Sequence, residues 1–201
     1  MADSFEVLTS KLMAVSVSTD LASAISEWEV VALEEDPSRD NFCVCGQPEL
    51  AKLFTIRNSR NGEVMYPIGS ECVKKFGSKD LDAQVNLYAD LLKLRIAVQK
   101  VATIEMTSEF FSRAVLEYLY EEGAFTPDQY NGQDGEMDLI FLLKMFNMRY
   151  KDRITGPQRR KIRMLMSNKM EPFILNDRRL KSPEPEAATE PGLAAGAADG
   201  I

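Results

Sequence analysis

Three cysteines constrain this chain more than any other feature. Cys43-Val44-Cys45-Gly46 and Gly69-Ser70-Glu71-Cys72 hold every cysteine of the 201 residues, all inside a thirty-residue window. Thiolates bind zinc well because the borderline-soft metal lowers the thiol pKa. Gly46 lets backbone amides turn toward the sulfurs, and a cysteine in the first turn of a helix meets the positive end of the helix dipole. Between the two cysteine segments, Leu53–Ile56 is β-prone and Asn58–Gly62 is a turn. Its Asn61-Gly62 pair is expected to supply the positive-φ residues of a tight hairpin. Val64–Ile68 is the return strand, and Pro67 marks a strand end or a sheet edge, since it cannot donate to a ladder. Ser70 is expected to cap the helix that carries Cys72, Val73 and Phe76. A knuckle, a hairpin and a ligand-bearing helix follow the logic of a treble-clef finger.

The finger departs from that logic in two ways. One residue separates Cys43 from Cys45 where two are usual, and Lys75 stands where the helix would place a second ligand. A tetrahedral structural site needs four donors, and the chain has no histidine. The fourth-donor candidates are Gln47 or Asp40, then Asn58, Glu71 or a water. Three readings follow. Zinc is held by Cys43, Cys45 and Cys72 plus one of those donors; or the finger folds without metal and its cysteines are small buried hydrophobes; or a thiol is reactive or redox-active. Cys43 and Cys45 are poor disulfide partners within a strand, where alternate side chains lie too far apart.

Elsewhere the pattern is mainly helical. Phe5, Leu8, Leu12 and Met13 recur at helical spacing over 4–15. A second helix is expected from Asp20 to Glu27, then a strand over Trp28–Leu33 and an acidic loop over 34–41. A long helix is expected from Asp80 to about Glu105, and another from Thr107 or Ser108 through Glu122, ending at Gly123. Residues 126–135 read as a loop. Helices follow at about 136–148 and 155–170, with Pro172 ending the last and Phe173-Ile174-Leu175 packing back on the body. From Ser182 the composition turns to Ala, Gly and Pro, which cannot bury enough surface to fold. The expected organisation is therefore 1–34 N-terminal helices and strand, 35–79 cysteine finger, 80–181 helical region with a basic C-terminal helix, and 182–201 disordered tail. The fold class is α+β, mostly helical.

Hydrophobic residues make up 45% of the chain, enough for a core. No apolar run approaches the roughly 20 residues of a membrane span. The N-terminus lacks the basic-then-apolar pattern of a signal peptide, and three cysteines are an odd number for a secreted disulfide framework. A cytoplasmic location is expected. Charge is unevenly spread. Residues 149–181 carry eleven Lys/Arg against three acids, a net of +8, which leaves −15 on the rest of a chain of net charge −7. That asymmetry suggests a basic patch on an acidic body, or charge balance between packed segments. In 154–166, Thr155 is a plausible cap and Pro157 suits a first turn. Ile162, Leu165 and Met166 share one face, while Arg159, Arg160 and Arg163 share another. With Lys161 these are the candidate phosphate contacts. Together with the preceding apolar helix they form a helical hairpin like a helix-turn-helix.

Catalytic signals are sparse. Without histidine, the commonest general base and the Cys–His nucleophile pair are both absent. No Gly-rich phosphate loop or dinucleotide fingerprint occurs. The expectation is a non-enzymatic protein.

The pattern Cys43-x-Cys45-Gly46, Phe54-x-Ile56-x-Asn58, Asn61-Gly62 and Ile68-Gly69-Ser70-x-Cys72-x-x-x-Phe76 resembles a group of phage and prophage proteins. Met145-Phe146-Asn147, Thr155-x-x-Gln158-x-x-x-Ile162 and Pro172-Phe173-Ile174 extend the likeness, which covers about 27–77 and 138–175. The resemblance implies a mobile-element origin and brings no activity with it. Some members carry His where Gln47 stands, which implies that a ligand is lost or replaced here. The expected function is a phage-type accessory binding protein that contacts nucleic acid through its basic helix. The alternative is an anti-defence or host-takeover factor, acting in the host cell cytoplasm, whose acidic surface binds a host protein.

Overall fold

The computed structural model describes residues 4–100 and 104–181. The expected tail over 182–201 lies outside the described residues. The chain runs α1 (Ser4–Val15), α2 (Leu21–Ser26), β1 (Trp28–Glu35), β2 (Lys52–Asn58), β3 (Val64–Ile68), α3 (Ser70–Lys74), α4 (Lys79–Lys100), α5 (Arg113–Glu121), α6 (Glu136–Phe146), α7 (Gly156–Leu165), α8 (Glu171–Asn176) and β4 (Leu180–Lys181). This is the mostly helical α+β fold expected. No described helix is long and apolar enough to cross a membrane.

The sheet order is β3-β2-β1-β4. β1 pairs antiparallel with β2, from Trp28 opposite Asn58 to Glu35 opposite Lys52, with an irregularity between Val30 and Ala32. α4 meets the backbone groups that this bulge frees. The Val30 N–H donates to Gln84 Oε1 at 2.6 Å, and the Tyr88 hydroxyl donates to the Val31 carbonyl at 3.4 Å. Gln84 and Tyr88 lie one turn apart on α4, so one helix face supplies both partners. α4 is the spine of the molecule. Its buried Leu81, Val85, Leu91, Leu92 and Leu94 join a core that runs from Leu8 of α1 to Leu180 of β4.

Several boundaries differ from the periodicity, each for a local reason. β1 continues through Glu34 and Glu35, because they pair with Leu53 and Lys52. The hairpin turn is longer than a two-residue turn: Asn58 N–H donates to the Glu63 carbonyl at 2.8 Å, enclosing four residues. Only Gly62 takes a positive φ there, +80°. α3 is capped by the backbone of Gly69, with no side-chain bond, and Ser70 is its first residue. The described part of the long helix ends at Lys100, and Ile104 and Glu105 are non-helical. Residues 107–110 form a separate turn closed on the Thr107 carbonyl. α5 starts at Ser112, whose hydroxyl accepts from Val115 N–H at 3.2 Å. Pro172 does not stop the helical path; it lies in the first turn of α8. A π-turn over Met166–Met170 precedes it. That turn shifts the hydrogen-bond ladder just where proline has no N–H to give.

Glu27, buried at the start of β1, ties three chain segments together. Its carboxylate accepts from Val17 N–H (2.9 Å), Ser18 N–H (2.8 Å), Ser18 Oγ (2.6 Å), Asn58 Nδ2 (2.8 Å) and Arg60 Nη1 (2.9 Å). Burial works against its ionisation, but the donors outweigh it and hold the carboxyl down at about 2 from an ordinary 4.5. The folded state therefore favours the ionised form. This contribution is fully present above pH 4.5 and is lost as pH falls toward 2. Glu27→Gln is expected to be less stable at pH 7 and to show a flatter loss of stability across that acid window, measured by urea unfolding at a series of pH values.

Candidate metal centre and basic surface

The cysteine segment folds as a compact knuckle. Cys43 N–H donates to the Gln47 carbonyl at 2.8 Å, and Gly46 N–H donates to the Cys43 carbonyl at 2.7 Å. Gly46 takes φ +92°, a conformation that costs glycine nothing and most other residues 1 kcal/mol or more, roughly. The knuckle is held from two sides. Val44 N–H donates to the Pro67 carbonyl of edge strand β3 at 2.9 Å, and Lys11 Nζ of α1 donates to the Val44 carbonyl at 2.5 Å. Pro67 thus sits at the sheet edge, as expected, and its carbonyl anchors the knuckle.

Cys72, in the first turn of α3, completes a cluster. The Sγ atoms of Cys43, Cys45 and Cys72 all lie within 4.8 Å of one another, and all three residues are buried. Cys45 Sγ and Cys72 Sγ are 3.4 Å apart, and the thiols are free. A tetrahedron of sulfurs about 2.3 Å from a zinc ion has edges of about 3.8 Å. The cluster has room for a metal ion.

Of the fourth-donor candidates, Gln47 is in place: its Oε1 lies 3.8 Å from Cys72 Sγ. Neither Asp40 nor Glu71 belongs to the cluster. Asp40 is exposed in the preceding loop, and Glu71 turns to Lys74 at 4.0 Å. Asn58 is spent at the opposite end of the hairpin, bonding Glu27 and the backbone of the turn. Asn58 and Glu71 are engaged elsewhere, and Asp40 places no carboxylate oxygen in the cluster.

The thiols are electrostatically unequal. Burial raises the Cys45 thiol, but backbone N–H of Gln47 and the neighbouring thiols outweigh it, and the net shift is downward. Burial pushes the Cys72 thiol up, and its sulfur neighbours push it further. Of these two thiols, Cys45 is the one whose surroundings favour the thiolate.

The basic segment resolves into engaged and free cations. Lys161 pairs with buried Asp138 at 3.1 Å and sits over the Phe141 ring. Lys169 lies between Asp128 (2.7 Å) and Asp138 (2.8 Å). Arg179 pairs with Asp177 and Glu122, and Lys181 with Glu34. Arg159 folds back on the carbonyls of Ile154 (3.1 Å) and Lys151 (2.8 Å). Arg149 and Arg153 stack on Tyr150. Among the described residues, Arg160 and Arg163 are exposed and make no hydrogen bond or ion pair. They project one turn apart from α7, whose start is fixed by a capping box between Thr155 and Gln158. Arg160 borders a cleft of about 470 Å³ lined by Tyr130, Pro157, Lys161 and Lys169 together with the acids Asp128 and Asp138, whereas Arg163 lines a separate, smaller one with Glu105 and Arg159. Tyr130 is 72% exposed.

Periodicity gave no sign of Asp138. It is one acid in the first turn of a helix, where acids are ordinary. The structure makes it a hub that joins Asn131, Lys161 and Lys169. Burial opposes its charge, but those partners hold its carboxyl below the usual range. Comparison with protein-family models, with characterised proteins and with solved structures finds no match for this chain.

Asp138→Ala leaves two lysines facing an emptied, buried position. Lys169 keeps Asp128 at 2.7 Å and Lys161 reaches solvent, so the loss falls below that of an uncompensated buried charge, and urea unfolding at pH 7 should register roughly 1–3 kcal/mol. At the metal-free centre, alkylation followed by mass spectrometry should modify Cys45 ahead of Cys72; the reverse order would contradict the charge distribution described here.

Proposed function

We propose that this is a non-enzymatic binding protein whose finger is pinned by a structural zinc ion. Cys43, Cys45 and Cys72 supply three thiolates, and the Gln47 amide oxygen supplies the weaker fourth bond. One observation carries the reading: three buried sulfurs from two separate segments converge within 4.8 Å, with a side-chain oxygen 3.8 Å from one of them. Thiolates select soft or borderline ions, and a structural zinc contributes directly to folding free energy. The purified chain should carry close to one zinc, and Cys72→Ser should lose it together with thermal stability. Less than about 0.2 zinc per chain would reject a structural site, since such sites bind tightly enough to survive purification.

What the protein binds is a second reading, favoured by Arg160 and Arg163. Two exposed guanidinium groups without protein partners, one of them sharing a cleft with the exposed Tyr130, suit a nucleic-acid strand whose phosphates meet the arginines and whose base stacks on Tyr130. This is compatible with the phage accessory role that the resemblance implies. Arg159 and Lys161 then act as supports, holding the start of α7 and its packing on α6. In a gel-shift titration at low salt, the double variant Arg160→Ala/Arg163→Ala should bind more weakly. It should also flatten the dependence of log K on log salt by about 2, near 0.9 per phosphate contact. Absence of any shift for the parent chain, with a host protein co-purifying instead, would favour the alternative in which the acidic body docks on a host factor.

A further inference from the structure

Gln47, the fourth-donor candidate, is exposed at the edge of the cysteine centre. A pocket of about 250 Å³ opens beside it, lined by Gln47, Glu49, Lys52, Gly69, Glu71 and Cys72 among others. Cys72 is buried, whereas Gln47 is exposed on the pocket rim. A water occupies about 30 Å³ of liquid, so the pocket has room for a five-membered ring. The three sulfurs are held by the knuckle, the sheet edge and α3, but among the described residues the Gln47 side chain has only one recorded partner, Cys72 Sγ itself. A neutral amide oxygen is also a poor match for an ion chosen by three thiolates. Three firmly held protein donors with a displaceable fourth let a structural centre also exchange its fourth ligand, as an open metal site does.

We propose that an imidazole group from another molecule displaces Gln47 and completes this centre. The proposal rests on the metal reading above. Charge selects the class of donor. A divalent ion with three thiolates carries a net −1, and the pocket wall adds Glu49 and Glu71 against Lys52. An incoming thiolate or carboxylate meets that negative field, while neutral imidazole does not, and imidazole is a strong zinc and cobalt ligand. The exchange balances simply: the metal–oxygen bond to Gln47 breaks, a metal–nitrogen bond forms, and no proton or electron moves. The chain contains no histidine, so the donor must be external, either a small imidazole compound or the histidine of a partner protein. The centre would then be a metal-bridged docking point.

Cobalt(II) loaded into the full chain reports the coordination sphere through its visible absorption. Titration with imidazole above pH 7.5 should shift the cobalt d–d bands saturably. Gln47→Ala should tighten imidazole binding several-fold by removing the competitor. Gln47→His should abolish the shift by filling the position from within. A histidine-containing peptide that binds more tightly than free imidazole identifies a protein partner; equal affinity identifies a small-molecule donor, and both support the exchange. Cobalt bound with unchanged bands in the presence of imidazole would overturn the exchange while leaving the metal site intact. So would thiol compounds binding as well as imidazole. Failure to take up cobalt at all would overturn both the exchange and the metal reading on which it rests.

Discussion

Buried carboxylates hold this fold in register. Glu27 is the clearest case, because its five donors come from the α1–α2 connection, from β2 and from the hairpin turn. An ionised group inside a protein is tolerated only when its lone pairs are filled. Each donor segment must therefore sit where the carboxylate is. The same device recurs twice. Asp138 draws Asn131, Lys161 and Lys169 together, and so sets α7 and the π-turn against α6. Asp177 accepts from the Tyr118 hydroxyl at 3.0 Å and from Arg179. Arg95 of α4 meanwhile caps the carbonyls of Ile174 and Leu175. The C-terminal segment is thereby returned to β1, where Leu33 N–H donates to the Arg179 carbonyl at 2.8 Å and β4 pairs in parallel.

The cysteine centre depends on this frame. Its two halves come from the knuckle before β2 and from α3 after β3, so the β2–β3 hairpin sets their separation. Glu27 and Asn58 fix the far end of that hairpin, while Val44 and Pro67 fix the near end. These hydrogen bonds bring the two cysteine segments together. This accounts for a centre that converges with only three protein thiols and one loosely held amide. The basic surface is a by-product of the same economy. Lys161, Lys169 and Arg179 are consumed by Asp138 and Asp177, and Arg160, Arg163 and Arg178 are left to solvent.

Much of the local structure was legible in the residues because it is set by near neighbours. The period of α1 and the Asp20 cap of α2 are short-range effects, as are the Thr155–Gln158 box and the Gly46 knuckle. The proximity of Cys72 to Cys43 and Cys45 was also readable, since a hairpin returns the chain to its starting point. Other features were not. The sequence offered Thr107 or Ser108 as the cap of α5, and Ser112 caps it instead, directly after the buried Phe111. Two residues, Leu180 and Lys181, carry no strand signal alone and become β4 only because β1 presents an open edge. Pro172 read as a stop because proline ends isolated helices, and the π-turn that lets the path continue depends on the packing of Met166 and Met170 in the core.

The sequence by itself determined the chemical inventory and the local bends: three thiols, no imidazole, a glycine knuckle, a hairpin and a capped cationic helix. These follow from residue type and from interactions a few positions apart. Only the tertiary structure decided which groups are spent and which are free. It engaged Asn58 and Glu71 away from the sulfurs and set Gln47 against one of them. It also buried Asp138 beneath two lysines and left two arginines of α7 uncovered. Those outcomes depend on desolvation and on partners tens of residues away, and no pattern along the chain encodes which carboxylate will meet which cation.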